Sequence, residues 1–281
     1  MIQWGLIKNN LKLMLRSKGI LFLMIVMPLF SIGVLSSVFE EYLNSDLQTE
    51  NIEILSNVLF MSANLDIEPA NPIIIRQLPV DPIPSSIDYY GIIYVIYFAW
   101  CGIASLAMVI ASERKNSIES RLQITPVSKF SLYLGKMIPC FLATAIEVIV
   151  TMILSILLFD VHWGRIWLSI GILLVMCFTV SAFSVFLIYV YNNIVLSIAT
   201  AYVALMFLGL LGGTFTTYMY GFNESIARWS VIYHINRTLV ELSTMGKSDY
   251  LGGSIIFMAG ISLVSIFAGM FMMRKSMERK A

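Results

Sequence analysis

The stretch from Ile166 to Gly213 reads IWLSIGILLVMCFTVSAFSVFLIYV, then Tyr191-Asn192-Asn193, then IVLSIATAYVALMFLGLLGG. Each apolar run is long enough to cross a hydrocarbon core of roughly 30 Å, which takes about 20 residues of helix. The three polar residues between them leave room only for a tight turn. That turn must sit at a membrane interface, because irregular backbone exposed to lipid leaves its polar groups unpaired. The expected element is a transmembrane helical hairpin, and it sets the class of the whole chain: an all-α integral membrane protein.

Working outward, the composition agrees. The 281 residues are 58% hydrophobic and only 12% charged, with a mean hydropathy of +0.84, which is more apolar surface than a single water-soluble core of this length needs. Six runs meet the length demand: 20–38, 91–111, 137–159, 166–190, 194–213 and 253–273. No small-residue cleavage pattern follows the first, so it reads as a retained span; an uncleaved signal anchor would give the same topology. Lys8, Lys12, Arg16 and Lys18 precede it, Arg114, Lys115, Arg121, Lys129 and Lys136 lie between the second and third, and Arg274, Lys275, Arg279 and Lys280 follow the last. Six crossings put all of these on one side, and the positive-inside rule makes that side, with both termini, cytoplasmic.

The opposite side is expected to carry an acidic loop over 39–90, with Glu40, Glu41, Asp46, Glu50, Glu53, Asp66, Glu68, Asp81 and Asp88 against Arg76 alone. Five prolines, Pro69, Pro72, Pro79, Pro82 and Pro84, favour turns in its second half. Residues 214–252 form a second outer segment, apolar enough over 226–245 for short half-inserted helices. At the start, residues 1–19 place Trp4, Ile7, Leu11 and Met14 on one helical face and Lys8, Lys12 and Arg16 on another, the pattern of a helix lying in the interface plane; topology-setting lysines alone are the simpler alternative.

The cytoplasmic loop 112–136 carries the functional signal. It holds Glu113-Arg114, Arg121-Leu122, Thr125-Pro126-Val127-Ser128 and Leu134-Gly135-Lys136. A short polar run able to form one or two helical turns stops at Thr125, where the following proline disfavours helix. These residues, at this spacing, resemble the permease subunits of type 2 ABC transporters, mostly bacterial exporters of the cell membrane. The likeness extends over nearly the whole chain. Two departures are Ser117, where the family usually has glycine, and Glu119, one place before the family's common acidic position.

The resemblance implies an amphipathic N-terminal elbow helix, six transmembrane helices and a short cytoplasmic coupling helix. It implies that Glu113, Arg114, Arg121, Leu122, Thr125 and Pro126 couple the chain to a separate ABC ATPase present in two copies, beside a second permease, identical or paralogous. ATP and Mg would then be bound by the ATPase. This chain has no Gly-x-x-x-x-Gly-Lys-Ser/Thr cradle, since Gly135-Lys136 lacks the upstream glycine and is followed by Met137. No cofactor, nucleic acid or enzymatic activity of its own is expected, and surrounding lipid is the remaining partner. The cargo implied is a small amphipathic or lipid-like compound, such as an antibiotic, peptide or toxin, in a setting of antibiotic resistance.

Other signals are weaker. Glu147 is a carboxylate deep inside a span, with Thr144, Thr151 and Ser155 on its helical face. Such a group is costly in lipid and marks either the substrate path or a polar helix contact; both readings stay open. His162 and His234 are isolated, and Cys101, Cys140 and Cys177 lie far apart in apolar runs without metal-ligand spacing. Two rivals remain: a membrane module that senses an antimicrobial or confers immunity, and an ion-coupled secondary transporter, which would normally show several intramembrane charges.

Overall fold

A computed structural model describes residues 4–38, 84–116, 118, 128–215 and 224–278. Among these there is no strand, and six helices are long and apolar enough to cross a membrane. They are α2 (Lys18–Val38), α3 (Ser86–Lys115), α4 (Lys129–Phe159), α5 (Ile166–Tyr191), α6 (Ile194–Leu211) and α9 (Leu251–Glu278). Shorter helices are α1 (Trp4–Arg16), α7 (Glu224–Ala227) and α8 (Val231–Met245). The acidic segment 39–83, the run 119–127 and residues 216–223 lie outside the described residues.

Several helices outrun the apolar runs that mark them. α3 begins at Ser86 because the Ser85 hydroxyl caps it, accepting from the Asp88 amide at 3.1 Å. α4 begins at Lys129 because Ser128 does the same for the Ser131 amide at 3.2 Å. The expected hairpin turn is made by its two asparagines. Asn192 takes the left-handed conformation that ends α5, with φ of 51°, and the Asn193 side chain caps α6 by accepting from the Val195 and Leu196 amides.

α3 is the central helix, with 78% of its most apolar window buried, against 28% for α2, 17% for α6 and 22% for α9. The outer helices present large apolar side chains outward, among them Phe30, Val203, Phe207, Ile256 and Phe267, as a surface solvated by lipid requires. Inside, packing is joined by short polar bonds. The Tyr133 hydroxyl of α4 lies 2.9 Å from the Ala182 carbonyl of α5 and 3.2 Å from the Ser265 carbonyl of α9, so one group ties three helices. Ser262 of α9 donates to Thr179 of α5 at 2.9 Å. Several other buried hydroxyls donate back to their own helix, as Ser181 does to Cys177 and Ser184 to Val180, both at 2.7 Å.

α8 is too short to span and lies with its apolar side in the bundle. Asn236 donates to the Gly212 carbonyl at 2.7 Å and Ser230 to the Leu208 carbonyl at 2.9 Å, fixing α8 to the end of α6. Its charged side carries Arg237, which donates to Glu241 at 2.9 Å and lies 4.1 Å from the Tyr250 ring centroid. Burial works against the Arg237 charge, but Glu241 and Tyr233 outweigh it and raise the guanidinium pKa.

Gly164 makes the tightest backbone approach in the connection between α4 and α5. Its φ is +61°, and a Cβ there would sit 2.0 Å from the Leu242 carbonyl oxygen of α8. Gly164→Ala is therefore expected to lose most of the monodisperse protein recovered by size-exclusion chromatography in detergent. Gly171→Ala, where a Cβ meets nothing within 4 Å, should be recovered as the wild type is.

Candidate functional site

The end of the bundle that holds the start of α2 and the ends of α3 and α5 also holds the root of the 112–136 loop. Glu113 and Lys136 bound that loop, and each is only 2% exposed. The Lys136 ammonium pairs with Glu113 Oε2, while Asn10 Nδ2 of α1 donates to Glu113 Oε1 at 2.9 Å. One carboxylate thus joins three helices. Two opposite charges buried together hold each other, because removing either leaves the other desolvated and uncompensated, at a cost of about 3–5 kcal/mol.

Arg114 points a different way, since neighbours on a helix are about 100° apart. Its guanidinium donates to the Asn192 carbonyl at 3.1 Å and to Asn192 Oδ1 at 3.0 Å, reaching the turn between α5 and α6. The Glu113-Arg114 pair therefore braces the loop root from two sides. Ser128, the last residue of the Thr-Pro-Val-Ser motif, closes the other side as the cap of α4. Arg121, Leu122, Thr125 and Pro126 lie outside the described residues, as do Ser117 and Glu119.

Sequence reading missed Asn10. Its amide sits among the apolar residues of α1, and it is buried beside Ile7 and Met14, whereas Trp4, placed on the apolar face from its spacing, is 72% exposed. The signal available was a lone Asn between two apolar positions of an amphipathic helix. Lys136 counted in the sequence as a topology marker and as part of a motif; only the fold shows it buried.

Thr144, Glu147, Thr151 and Ser155 share one buried face of α4. Thr151 lies 3.1 Å from the Met24 carbonyl of α2 and 2.8 Å from that of Glu147. Thr144 faces Gly102 of α3 so closely that a Cβ on that glycine would come within 2.9 Å of its hydroxyl oxygen. At this point α3 tightens into a single 3-10 turn, Trp100–Gly102. Neither carboxyl oxygen of Glu147 has a hydrogen-bond partner among the described residues. An ionised carboxylate here would carry a desolvation penalty with nothing described to offset it. The group is enclosed between helices of one chain.

No cluster of three or more His, Cys, Asp or Glu residues suited to a metal occurs among the described residues. The three cysteines are free and buried. His162 serves through its backbone, donating to Asp88 at 2.6 Å and accepting from Ser243. His234 contacts the Arg228 carbonyl at 2.8 Å.

A family model described as ABC-2 family transporter protein matches residues 35–271. No curated protein and no solved structure matches the chain.

The buried pair generates a mutational test. Lys136→Met alone should lower the thermal midpoint of the detergent-purified protein, read by intrinsic tryptophan fluorescence, by the equivalent of about 3–5 kcal/mol. Combining it with Glu113→Gln should recover much of the loss, because no buried charge is then left alone. Additive losses would mean that the pair does not act as a unit.

Proposed function

The chain belongs to the ABC-2 family of transporter proteins, and we propose that it is the permease subunit of an exporter driven through the loop between α3 and α4. The observation that supports this most is Glu113, buried at the loop root between Asn10 and Lys136. A force applied to the loop enters the bundle at the end of α3 and the start of α4. There it meets a rigid junction with α1 and, through Arg114, with the α5–α6 turn. A transmission element needs such a root, since a loosely held loop would absorb the displacement.

In this reading the loop, α1 and both termini face the cytoplasm, as the distribution of Lys and Arg favours. Arg121, Leu122, Thr125 and Pro126 make the contact with a separate ABC ATPase. Glu113 and Arg114 are positioning residues for that contact. Two ATPase copies, carrying ATP and Mg, and a second permease complete the transporter. The cargo is a small amphipathic or lipid-like compound, held between the two permeases and released outward when the ATPases close.

The enclosure of Glu147 favours a packing role for it, with Thr144 and Thr151, over a place against cargo. Glu147→Gln keeps the shape of the side chain and is expected to leave cargo-stimulated ATP hydrolysis by the reconstituted complex near the wild-type level. Lost stimulation with normal insertion and normal basal hydrolysis would put Glu147 on the cargo path.

Partner identity is tested by purifying the tagged chain from its native membrane and identifying what accompanies it by mass spectrometry. An ABC ATPase is expected with the wild type and should be lost from a normally inserted Arg121→Glu, Leu122→Asp variant. Absence of any ATPase from both would overturn the reading and leave the sensing module or the ion-coupled transporter.

A further inference from the structure

Helix α1 has two faces that meet different surroundings. The inner face buries Ile7, Asn10 and Met14 against the bundle. The outer face carries Lys8, Lys12 and Arg16, all exposed, spaced four residues apart so that they stand in one row along the helix. Trp4, at 72% exposure, continues the row at its N-terminal end, and Leu13, at 40%, lies beside it. α1 itself contains no acidic residue, and none of the three cations has an ion-pair partner among the described residues; the described ion pairs are Lys136 with Glu113 and Arg237 with Glu241.

Like charges at this spacing repel one another and weaken a helix unless something negative lies against them. The position of α1 says what that is. Ser17 alone separates α1 from α2, and α2 begins its crossing at Lys18 with Phe22 already 55% exposed. α1 therefore lies at the depth where the chain enters the hydrocarbon, which is the depth of the lipid headgroups. An exposed tryptophan beside lysines suits that layer, where aromatic rings and cations both concentrate.

We propose that the outer face of α1 is a docking surface for anionic lipid headgroups, whose phosphodiesters are held by Lys8, Lys12 and Arg16. Each such cation near an anionic leaflet strengthens attachment by roughly fivefold, so the row favours anionic over zwitterionic lipid. The inner face of the same helix grips Glu113 through Asn10, so the lipid site and the loop root share one rigid element. The inference rests on residence in a membrane and stands whether or not an ATPase partner is found.

The test reconstitutes the full-length chain in nanodiscs containing phosphatidylglycerol or phosphatidylcholine, each with the same photoactivatable acyl chain, and maps the adducts by mass spectrometry. Peptides covering residues 4–18 should carry several-fold more phosphatidylglycerol than phosphatidylcholine adduct. In a Lys8→Gln, Lys12→Gln, Arg16→Gln variant that ratio should fall to near unity, while adducts on α9 stay unchanged and report a folded, embedded chain. Equal yields in the wild type, or an excess that survives the triple substitution, would overturn the proposal. An excess that vanishes when a copurifying ATPase is added would overturn it too, and would assign the face to that protein.

Discussion

Glu113 is a full charge taken out of water at the edge of a bundle whose solvent is otherwise lipid, and the arrangement around it follows from that. With only one neighbour it would be a liability, since a buried carboxylate needs both a countercharge and its second oxygen satisfied. Lys136 supplies the first and Asn10 the second. The three side chains come from three helices, so the middle of α1, the end of α3 and the early turns of α4 are obliged to keep their spacing. The next residue, Arg114, extends the same constraint to Asn192 and the turn between α5 and α6. The mouth of the loop is thereby a place where displacement of a short polar segment reaches several helices together.

Away from that junction, lipid dictates a different economy of polar groups. The interior helices place hydroxyls where they can return a hydrogen bond to the backbone or cross to a neighbour, as Ser262 does to Thr179 and Tyr133 does between α5 and α9. Glycine at 269 lets the Tyr133 ring lie against α9, since a Cβ there would sit 2.6 Å from the ring. The bundle is held by close packing and short bonds. Not every polar group is matched: among the described residues the Glu147 carboxyl oxygens and the Ser105 and Thr144 hydroxyls have no partner, and Thr144 packs against Gly102 in the 3-10 turn where α3 departs from regular helix.

Much of this was legible in the sequence because lipid simplifies the code. Long apolar runs locate the spanning helices, and two asparagines between two such runs make a turn whose caps follow from asparagine's own chemistry. The Glu113-Arg114 pair stood out as charges at the end of a span. The limits were of two kinds. Apolar windows stop at the first charge, so the first turns of α4, with Lys136 buried among Leu132, Tyr133 and Met137, read as loop. Helical spacing also shows that a face is apolar but not what it meets. Ile7 and Met14 face protein, and Asn10 between them became visible as a partner only once α1 lay against Glu113. The acidic segment 39–83 and the loop residues 119–127 lie outside the described residues, so Arg121, Leu122, Thr125 and Pro126 rest on sequence alone.

The most direct measurement is an electron cryomicroscopy structure of the chain purified with its native partners in lipid nanodiscs. The account predicts residues 117–127 seated in a groove of an ABC ATPase, directly beyond the Asn10, Glu113 and Lys136 junction, with that junction intact. An ATPase that touches this chain only through other segments, or a loop that faces solvent with no partner, would contradict it.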